Sequence, residues 1–406
     1  MNILIVEDNT QKQDEIIKLI DERYNHLIGI TCVESLEDAQ GKIKYNNYDL
    51  YVLDFSIKSQ NHSASIKYGI EAYNIICDKE GGVDKILGYS NFDNLMLENP
   101  EIAKSIEFIN YTQKKDWNDI FLRFLEQYIQ NNSIALRTDY DVAIVTALQE
   151  EFEYMKKASN TTWFQNYNTD ELFDFYTTRM KNVHGDSIIV VAYTVHEMGM
   201  SYASAIATKM VVKFQPKYIV MTGICAGFEK KTNKGDIIVP QNVFNYQSGD
   251  IREGNDFGPL YKLKEIDDDL KKIIKQIQDN YKKDYIQNIQ EEWLDKYDIG
   301  KTPGREQEIH IGKSFGTGSA VVKDGAIIQY IQEQYVKDLI GLDMEAYSVM
   351  IAAEFSEGKT IPLIVKSVQD FANKEKDEEY RKFACFSSAR YFFKMCEDRL
   401  IAEMNK

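Results

Sequence analysis

Short apolar runs alternate with amphipathic segments along this chain, and that alternation is the strongest constraint on its fold. Apolar runs of about four to eight residues indicate buried strands, and apolar residues recurring every three or four positions indicate helices. Their alternation predicts parallel sheets with helices on both faces. The pattern occurs in two blocks on either side of a polar, aperiodic stretch at 130–140. We therefore predict domains at 1–130 and 141–406, joined by a linker at 131–140.

The individual elements follow from the same patterns. In the first block we predict strands at 2–8, 49–56, 85–91 and 105–112 and helices at 11–23 and 117–129. In the second block we predict strands at 187–194, 218–223, 235–240 and 361–370 and helices at 200–213, 261–285, 324–335 and 344–356. Both domains are thus expected to be α/β, the first with a doubly wound parallel sheet.

Composition excludes several classes of partner. The net charge of −16 over 406 residues argues against binding to nucleic acid or to an anionic membrane surface. None of the five cysteines forms a CxxC pair, so neither a disulfide framework nor a zinc site is expected. The N-terminus lacks a basic, cleavable signal pattern, and no run approaches the roughly 18 apolar residues of a membrane span. We therefore expect a cytoplasmic protein.

Three carboxylates follow two strands of the first block. Glu7 and Asp8 end the run NILIVED, and Asp54 ends DLYVLDFS. The carboxyl ends of neighbouring parallel strands form the ligand crevice of an open sheet, so we expect these acids to meet there. Three such acids repel one another unless a hard cation such as Mg²⁺ lies among them. Ser90, after the third strand, is placed to donate a hydrogen bond to a phosphoryl oxygen.

This set resembles the receiver domain of two-component response regulators over residues 1–130. The resemblance implies a flavodoxin-like fold in which Asp54 accepts a phosphoryl group from a cognate histidine kinase. Glu7, Asp8 and Asp54 would then bind Mg²⁺, and Ser90 would supply the switch hydroxyl. Gly69 fits the glycine that precedes the third helix of the family.

One receiver residue is missing. The lysine that follows the fifth strand of the family is absent from FINYTQKKDW, where Tyr111 or Thr112 stands near its place. Three interpretations remain open: Lys114 reaches the site from a shifted loop, the phospho-switch is altered, or a degenerate receiver serves only for dimerisation.

Four stretches of the second block combine acids, glycines and an aromatic residue. TALQEEFEYM (146–155) carries Glu150 and Glu151, and MTGICAGF (221–228) is a glycine-rich turn. GKSFGTGSAVVKD (312–324) surrounds Phe315, and the pair GLDMEAYS and VKSVQDFAN supplies Glu345 and Asp370. Singly, each has a structural explanation, because acids cap helices and tight turns need glycine. His196 in VHEMGM and Asp343 are likewise expected to be structural, Asp343 through bonds to backbone or a helix terminus.

In this order and spacing, the stretches resemble the purine nucleoside phosphorylase and nucleosidase superfamily over residues 141–395. They look closest to the branch that includes methylthioadenosine/S-adenosylhomocysteine nucleosidase. The resemblance implies a three-layer α/β/α domain with a mixed sheet, and an N-glycosyl hydrolase that needs no cofactor.

It also implies roles for individual residues. Asp370 would protonate purine N7, and Glu151 would position the attacking water. Glu345 and Met344 would bind the ribose. The base would lie against Phe315 and Gly316. These residue types suit the chemistry, since breaking an N-glycosidic bond builds positive charge on the ribosyl ring and the leaving base needs a proton.

The nucleophile is expected to be water. The first loop, LQEEFE, lacks the arginine that holds phosphate in the phosphorylases, and Ile224 stands where their serine would be. A carboxylate at Glu151 would repel phosphate. Two further departures concern the last strand, where Lys366 replaces the arginine common in nucleosidases and Gln369 replaces a serine beside Asp370.

The joining of a receiver to this domain resembles the effectors of bacterial two-component anti-phage defence (Detocs-like) systems. That resemblance implies hydrolysis of ATP to adenine and ribose 5′-triphosphate, and relatives of both domains suggest a homo-oligomer. Two alternatives stay open: a methylthioadenosine/S-adenosylhomocysteine or AMP nucleosidase under receiver control, and a catalytically silent nucleotide sensor. Several basic residues lie in loops near the predicted site and are candidates for binding phosphates: Lys230, Lys231, Arg252, Lys323 and Lys374.

Overall fold

The computed structural model describes most of the chain, and its helices and strands fall into two compact units. The described residues are 1–24, 26–59, 62–90, 99–110, 117–134, 140–166, 175–183, 185–195, 197–251, 253, 257–297, 307–320, 322, 325–334, 336–372 and 380–398. The first unit comprises Met1–Thr138 and Val183–Ser187, and the second comprises Asp139–Asn182 and Ile188–Lys406. Among the helices so described, none is long and apolar enough to cross a membrane.

The first unit contains a five-stranded sheet with the order β2-β1-β3-β6-β7. Every neighbouring pair in it is parallel. A separate antiparallel hairpin is formed by β4 and β5. The strands are β1 (Asn2–Val6), β2 (Gly29–Val33), β3 (Leu50–Leu53), β4 (Ile57–Ser59), β5 (His62–Ser65), β6 (Ile86–Ser90) and β7 (Glu107–Asn110). This parallel sheet agrees with the prediction from strand–helix alternation.

Helices cover both faces of this sheet. They are α1 (Thr10–Tyr24), α2 (Leu36–Tyr45), α3 (Ile66–Glu80), α4 (Pro100–Ser105) and α5 (Trp117–Asn131). Side chains along β1 alternate between two cores, because successive residues of a strand point to opposite faces. Leu4 and Val6 pack with α2 and α3, whereas Ile3 and Ile5 pack with α1 and α5.

Three predictions for the first unit need correction. β2 and the hairpin β4–β5 had no strand signal in the sequence analysis. The strand predicted at 105–112 begins later, since Ser105 ends α4 and β7 starts at Glu107, and the predicted residues 111 and 112 lie outside the described residues. Gly69 lies inside α3 rather than before it, and a Cβ there would lie 2.2 Å from the Phe55 carbonyl oxygen. A glycine is therefore required because the helix touches the backbone next to Asp54.

The second unit is built on a mixed sheet of twelve strands among the residues described. Its main path is β17-β14-β19-β20-β12-β8-β11-β10-β9, and β21 lies between β12 and β13, with β18 beyond β13. These strands are β8 (Val142–Thr146), β9 (Phe164–Asn166), β10 (Phe175–Lys181), β11 (Ser187–Thr194), β12 (Tyr218–Gly227), β13 (Ile237–Val239), β14 (Asn242–Asn245), β17 (Lys264–Glu265), β18 (Ile309–Ile311), β19 (Ser314–Thr317), β20 (Leu339–Asp343) and β21 (Ile361–Asp370). A small antiparallel pair joins β15 (Gly249–Ile251) and β16 (Phe257–Pro259).

The helices of the second unit are α6 (Gln149–Ala158), α7 (Met200–Phe214), α8 (Asp268–Tyr297), α9 (Gly325–Gln334), α10 (Ala346–Glu354) and α11 (Arg381–Asp398). Most of α10 is buried, as its apolar sequence predicted. The helix predicted at 261–285 is wrong at both ends. Asp267 Oδ1 accepts hydrogen bonds from Asp269 N (2.9 Å) and Leu270 N (3.1 Å), so it caps a helix that begins later.

Candidate active site

Four carboxylates of the second unit follow the carboxyl ends of strands. Glu151 lies in the first turn of α6 after β8, and Glu345 directly precedes α10. Asp343 ends β20, and Asp370 ends β21. Glu151 lies about two hundred residues before the other three acids in the chain, and the central strands β8, β12 and β21 run parallel. The arrangement forms an acidic site at the edge of the sheet where ligands bind in open α/β folds.

Three backbone amides hold the Glu151 carboxylate. Its Oε2 accepts hydrogen bonds from Ala147 N (2.8 Å) and Leu148 N (3.0 Å), and its Oε1 accepts one from Ile224 N (2.8 Å). The side chain therefore caps α6 and also joins that helix to the glycine-rich turn. Because these bonds come from rigid backbone, the carboxylate has a fixed direction.

Gly223 allows this close approach. Its φ of +147° is one that side-chain-bearing residues rarely adopt, and a Cβ there would lie 2.1 Å from Glu151 Oε1. The glycine that the sequence analysis explained by a tight turn is thus also required by the position of a carboxylate.

Glu345 is almost completely buried and accepts a hydrogen bond from the backbone. Gly199 N, just before α7, donates a hydrogen bond of 2.7 Å to its Oε1. Burial, followed by the charges of Asp343 and Glu151, raises the pKa of Glu345 to about 7, while Lys366 and the Gly199 amide oppose this shift. A carboxyl with such a pKa changes its protonation near neutral pH, as acid–base groups of active sites do.

Asp343 has a structural role, which confirms the expectation for it. Its Oδ1 accepts a hydrogen bond from Thr317 Oγ1 (2.8 Å), and its Oδ2 accepts one from Ala346 N (3.0 Å) at the start of α10. The Lys366 ammonium lies 3.3 Å from the same Oδ2. The aspartate therefore ties β19, β20, α10 and β21 together beside Glu345.

Lys366 is the site residue whose importance the sequence analysis missed. Its side chain is only 1% exposed, so the ammonium lies inside the acidic site rather than at its rim. Burial disfavours its charge, but Asp343, Glu151 and Glu345 more than compensate and raise the pKa of the ammonium. The signal was a lysine in the middle of the apolar strand IPLIVKSVQD, which the sequence analysis noted only as a replacement for arginine.

Asp370 lies half-buried at the end of β21. Its Oδ1 accepts a hydrogen bond from Ala372 N (3.0 Å), which orients the carboxyl after the strand. On the neighbouring strand, Ala226 pairs with Asp370 across a register shift after Cys225. Burial raises the pKa of the Cys225 thiol well above its ordinary value, so the thiol stays neutral beside the acids.

The residues expected to bind base and ribose lie on adjacent strands. Phe315 is fully buried on β19, and its ring lies so close to Gly341 that a Cβ there would be 2.8 Å from Cε2. Gly316 is equally constrained, with Leu342 Cδ2 2.5 Å from the position of a Cβ. Met344 is half-buried between β20 and α10. Their roles in binding the base and the ribose stay predictions.

Of the basic residues considered for phosphate binding, two are described. Lys231 donates hydrogen bonds to the carbonyls of Lys337 (2.8 Å) and Leu339 (3.2 Å), so its ammonium is engaged by the protein. Lys230 is exposed. The other candidates and the loop histidine lie outside the described residues: Arg252, Lys323, Lys374 and His196.

The first unit brings its predicted site residues to the carboxyl ends of β1, β3 and β6. Glu7 and Asp54 are both buried, and the buried Ser90 ends β6, the neighbour of β3. Ser56 N donates a 2.8 Å hydrogen bond to Asp54 Oδ1. Burial and the nearby Asp54 raise the pKa of Glu7 to about 8, and the same two causes raise the pKa of Asp8.

A lysine lies among these acids. Lys12 Nζ donates hydrogen bonds to Asp54 Oδ2 (2.8 Å) and Glu7 Oε2 (3.1 Å). Across the described part of the chain, no group of three His, Cys, Asp or Glu side chains is arranged to hold a metal ion. As arranged here, the acids do not fit the predicted Mg²⁺, because the ammonium takes its place. Tyr111, Thr112 and Lys114 lie outside the described residues.

The fold and site of the second unit define an α/β domain with a cluster of acids at the carboxyl ends of its strands. The profile of the phosphorylase superfamily matches residues 141–395, and the chain belongs to that superfamily.

Similar proteins include ATP nucleosidases and methylthioadenosine/S-adenosylhomocysteine nucleosidases. The ATP nucleosidase Cap17 of Escherichia coli is 25% identical over 61% of this chain and 49% of its own length. A death domain-containing ATP nucleosidase of Amphimedon queenslandica is 25% identical over 53% of this chain and 40% of its own. The chain thus spans half or less of these two relatives. The nucleosidases among these relatives are N-glycosyl hydrolases, and this chain fits that class of enzyme.

Two further comparisons extend over more of the other protein. An uncharacterized protein of Sinorhizobium fredii is 24% identical over 96% of this chain and 97% of its own length. The crystal structure of the methylthioadenosine/S-adenosylhomocysteine nucleosidase of Neisseria meningitidis matches with a TM-score of 0.47 and 16% identity, over 63% of this chain and 98% of that one.

Proposed function

We propose that this protein hydrolyses the bond between adenine and ribose in adenine nucleotides, with ATP as the favoured substrate. The observation that carries the proposal is the arrangement of Glu151 and Glu345, two buried carboxylates fixed by backbone amides beside Asp370. The preference for ATP is supported by the similarity to ATP nucleosidases of two organisms.

In the proposed reaction, the oxygen of a water molecule forms a bond to ribose C1′ while the bond from C1′ to purine N9 breaks. The electron pair of that bond stays with the purine, and Asp370 donates a proton to N7 so that adenine leaves neutral. Glu151 orients the water and takes its proton. Glu345 accepts hydrogen bonds from the ribose hydroxyls and stabilises the positive charge of the ribosyl ring.

Water is favoured over phosphate by the charges of the site. Glu151, Glu345 and Asp343 are balanced within the described residues by the single ammonium of Lys366, which already lies 3.3 Å from Asp343. An incoming phosphate would therefore meet a net negative site and would be repelled.

We further propose that the first unit is a receiver that controls this activity. The strand order β2-β1-β3-β6-β7 is the doubly wound order of flavodoxin-like sheets, and Asp54 and Ser90 lie at adjacent strand ends. On this proposal a cognate histidine kinase phosphorylates Asp54, and the protein acts in the cytoplasm as a homo-oligomeric anti-phage effector.

The test is product analysis. The purified full chain is incubated with ATP, AMP or methylthioadenosine, with and without acetyl phosphate, and free adenine is measured by chromatography. We expect adenine and ribose 5′-triphosphate from ATP. Faster release from methylthioadenosine or AMP would identify the alternative nucleosidase, and no adenine from any substrate would contradict an enzyme of this class.

A silent nucleotide sensor is distinguished by Asp370→Asn. In an enzyme this variant should lose turnover but still bind ATP in a calorimetric titration. Equal, negligible adenine release by wild type and variant would favour the sensor.

A further inference from the structure

Lys12 occupies a position in α1 that is unfavourable for a cation. Asn9 Oδ1 accepts hydrogen bonds from Gln11 N (3.0 Å) and Lys12 N (3.3 Å), so Asn9 caps the helix and Lys12 lies in its first turn. The N-terminal end of a helix carries partial positive charge, which favours acids there and disfavours lysine. This first turn contains no acidic residue. The lysine must therefore be stabilised by groups outside the helix.

Those groups are the acids of the strand ends. The Lys12 ammonium bridges Asp54 Oδ2 (2.8 Å) and Glu7 Oε2 (3.1 Å), and its side chain is only 16% exposed. The ammonium also lies 5.9 Å from the ring centroid of Tyr89, the residue before Ser90, at a distance suited to a cation–π contact. Three strand ends thus contribute to one cation position.

Two other lysines among the described residues of the first unit, Lys58 and Lys18, pair with other acids. Lys58, on β4, pairs with Glu34 at 2.9 Å and is 41% exposed. Lys18, on the same helix as Lys12, is 69% exposed and lies 3.8 Å from Glu22. Lys12 thus differs from Lys18 in that its ammonium lies among buried acids and not in solvent.

We infer that the Lys12 ammonium is the built-in counter-cation of the Glu7–Asp54 pocket, so that a divalent cation binds there only by displacing it. Negative charge on two buried carboxyl groups needs a compensating positive charge, and the Lys12 ammonium, which contacts both, supplies it without a metal. The inference does not depend on the nucleosidase reaction, and it holds whether or not Asp54 accepts a phosphoryl group. The inference also gives these acids a lysine that comes from α1. The resemblance to receivers had left only Lys114 as a candidate for the missing receiver lysine.

The experiment measures Mn²⁺ binding to the nucleotide-free full chain by electron paramagnetic resonance of the free ion. The variants are Lys12→Met, which removes the charge, Lys12→Arg, which keeps it, and the exposed control Lys18→Met. We expect Lys12→Met to bind Mn²⁺ tighter than wild type by on the order of tenfold or more, because two carboxylates lose their competing cation. Lys12→Arg and Lys18→Met should bind as wild type does.

Adding Asp54→Asn to Lys12→Met should erase the gain, which locates the ion in the pocket. Equal affinity of wild type and Lys12→Met, or a gain that survives Asp54→Asn, would overturn the inference. If Lys12→Met does not fold, wild type and the single variant Asp54→Asn decide the matter. Tight Mn²⁺ binding by wild type that Asp54→Asn abolishes would contradict a built-in cation, whereas weak binding unaffected by that change would support it.

Discussion

Lys366 Nζ lies 3.3 Å from Asp343 Oδ2, and both side chains are buried in the acidic site of the second unit. The Lys366 ammonium also attracts Glu151 and Glu345, the two carboxylates to which we assign the water and the ribose. The lysine therefore links the stability of the domain to the chemistry proposed for it.

Removing the charge of Lys366 should lower the free energy of unfolding. Lys366→Met would leave Asp343 buried without its cation, and breaking one partner of a buried pair typically costs about 3–5 kcal/mol. Lys366→Arg keeps the charge and should lose less of the free energy of unfolding. Urea denaturation of the two variants checks this, and equal stability of Lys366→Met and wild type would show that the pair does not stabilise the fold.

The pH dependence of kcat/KM should reflect the titration of Glu345. Its pKa is raised from the ordinary 4.5 to about 7, so the ionised form, to which we assign ribose binding and stabilisation of the ribosyl cation, is lost as the pH falls below about 7. We expect kcat/KM for ATP to decline about tenfold per pH unit on this acidic limb. Glu345→Gln should be far less active and should lack that limb. An unchanged limb in the variant would assign the titration to another group.

Glu151 and Glu150 form a matched pair of adjacent acids with different surroundings. Glu151 is held by three backbone amides inside the site, whereas the Glu150 side chain is one-third exposed and pairs with Arg381. We expect Glu151→Gln to lower kcat by about 10²–10⁴-fold, since it removes the group to which we assign the orientation and deprotonation of water. Glu150→Gln should retain most activity. Similar losses in both variants would indicate a general effect of charge on α6.

Gly223 should be intolerant of even one added carbon. The Cβ of Gly223→Ala would lie 2.1 Å from Glu151 Oε1 at a φ of +147°, so the carboxylate or the turn must move. A displacement of about 1 Å at a catalytic group can lower activity by about 10². Gly41, in α2, meets no atom within 4 Å of a Cβ, so Gly41→Ala is a suitable control. The rate of adenine release is measured for both variants and compared.

If the first unit controls the activity as a receiver, replacing Asp54 should have an effect that replacing an exposed acid elsewhere in this unit does not have. Asp54→Asn should abolish incorporation of phosphate from acetyl phosphate and block activation in cells, because the acceptor oxygen is lost. Asp78→Asn, on an exposed position of α3, should have no effect. Normal activation of Asp54→Asn would mean that the first unit has no phosphorylation-dependent role.

The sequence predicted the α/β class, and strand–helix alternation located the central strands, because buried parallel strands are apolar along their whole length. It missed β2 and the hairpin, whose sequences GITCV, IKS and HSAS are short or polar. Tertiary contacts determine whether such segments form strands. The bounds of α8 depended on the cap at Asp267, which a charged, weakly periodic stretch does not reveal.

Sequence motifs predicted the candidate site residues, but they did not predict contacts between side chains that are distant in the sequence. Glu151, Glu345 and Asp370 came from their motifs, and the backbone amides that hold the two glutamates could not be inferred without coordinates. The two lysines at the acids, Lys12 and Lys366, lie far from their partners Asp54 and Asp343 in the chain. Neither follows from local sequence pattern.

The place of β21 between β12 and β13 has a consequence for how the protein is made. Both neighbours leave the ribosome well before β21, yet β21 inserts between them and carries Asp370 at its end. A nascent chain that has already exposed Glu151 therefore lacks both Asp370, the proton donor that we propose, and a closed centre of the sheet. On the proposal that ATP is its substrate, the enzyme would thus remain inert towards the nucleotide that drives translation throughout most of its own synthesis.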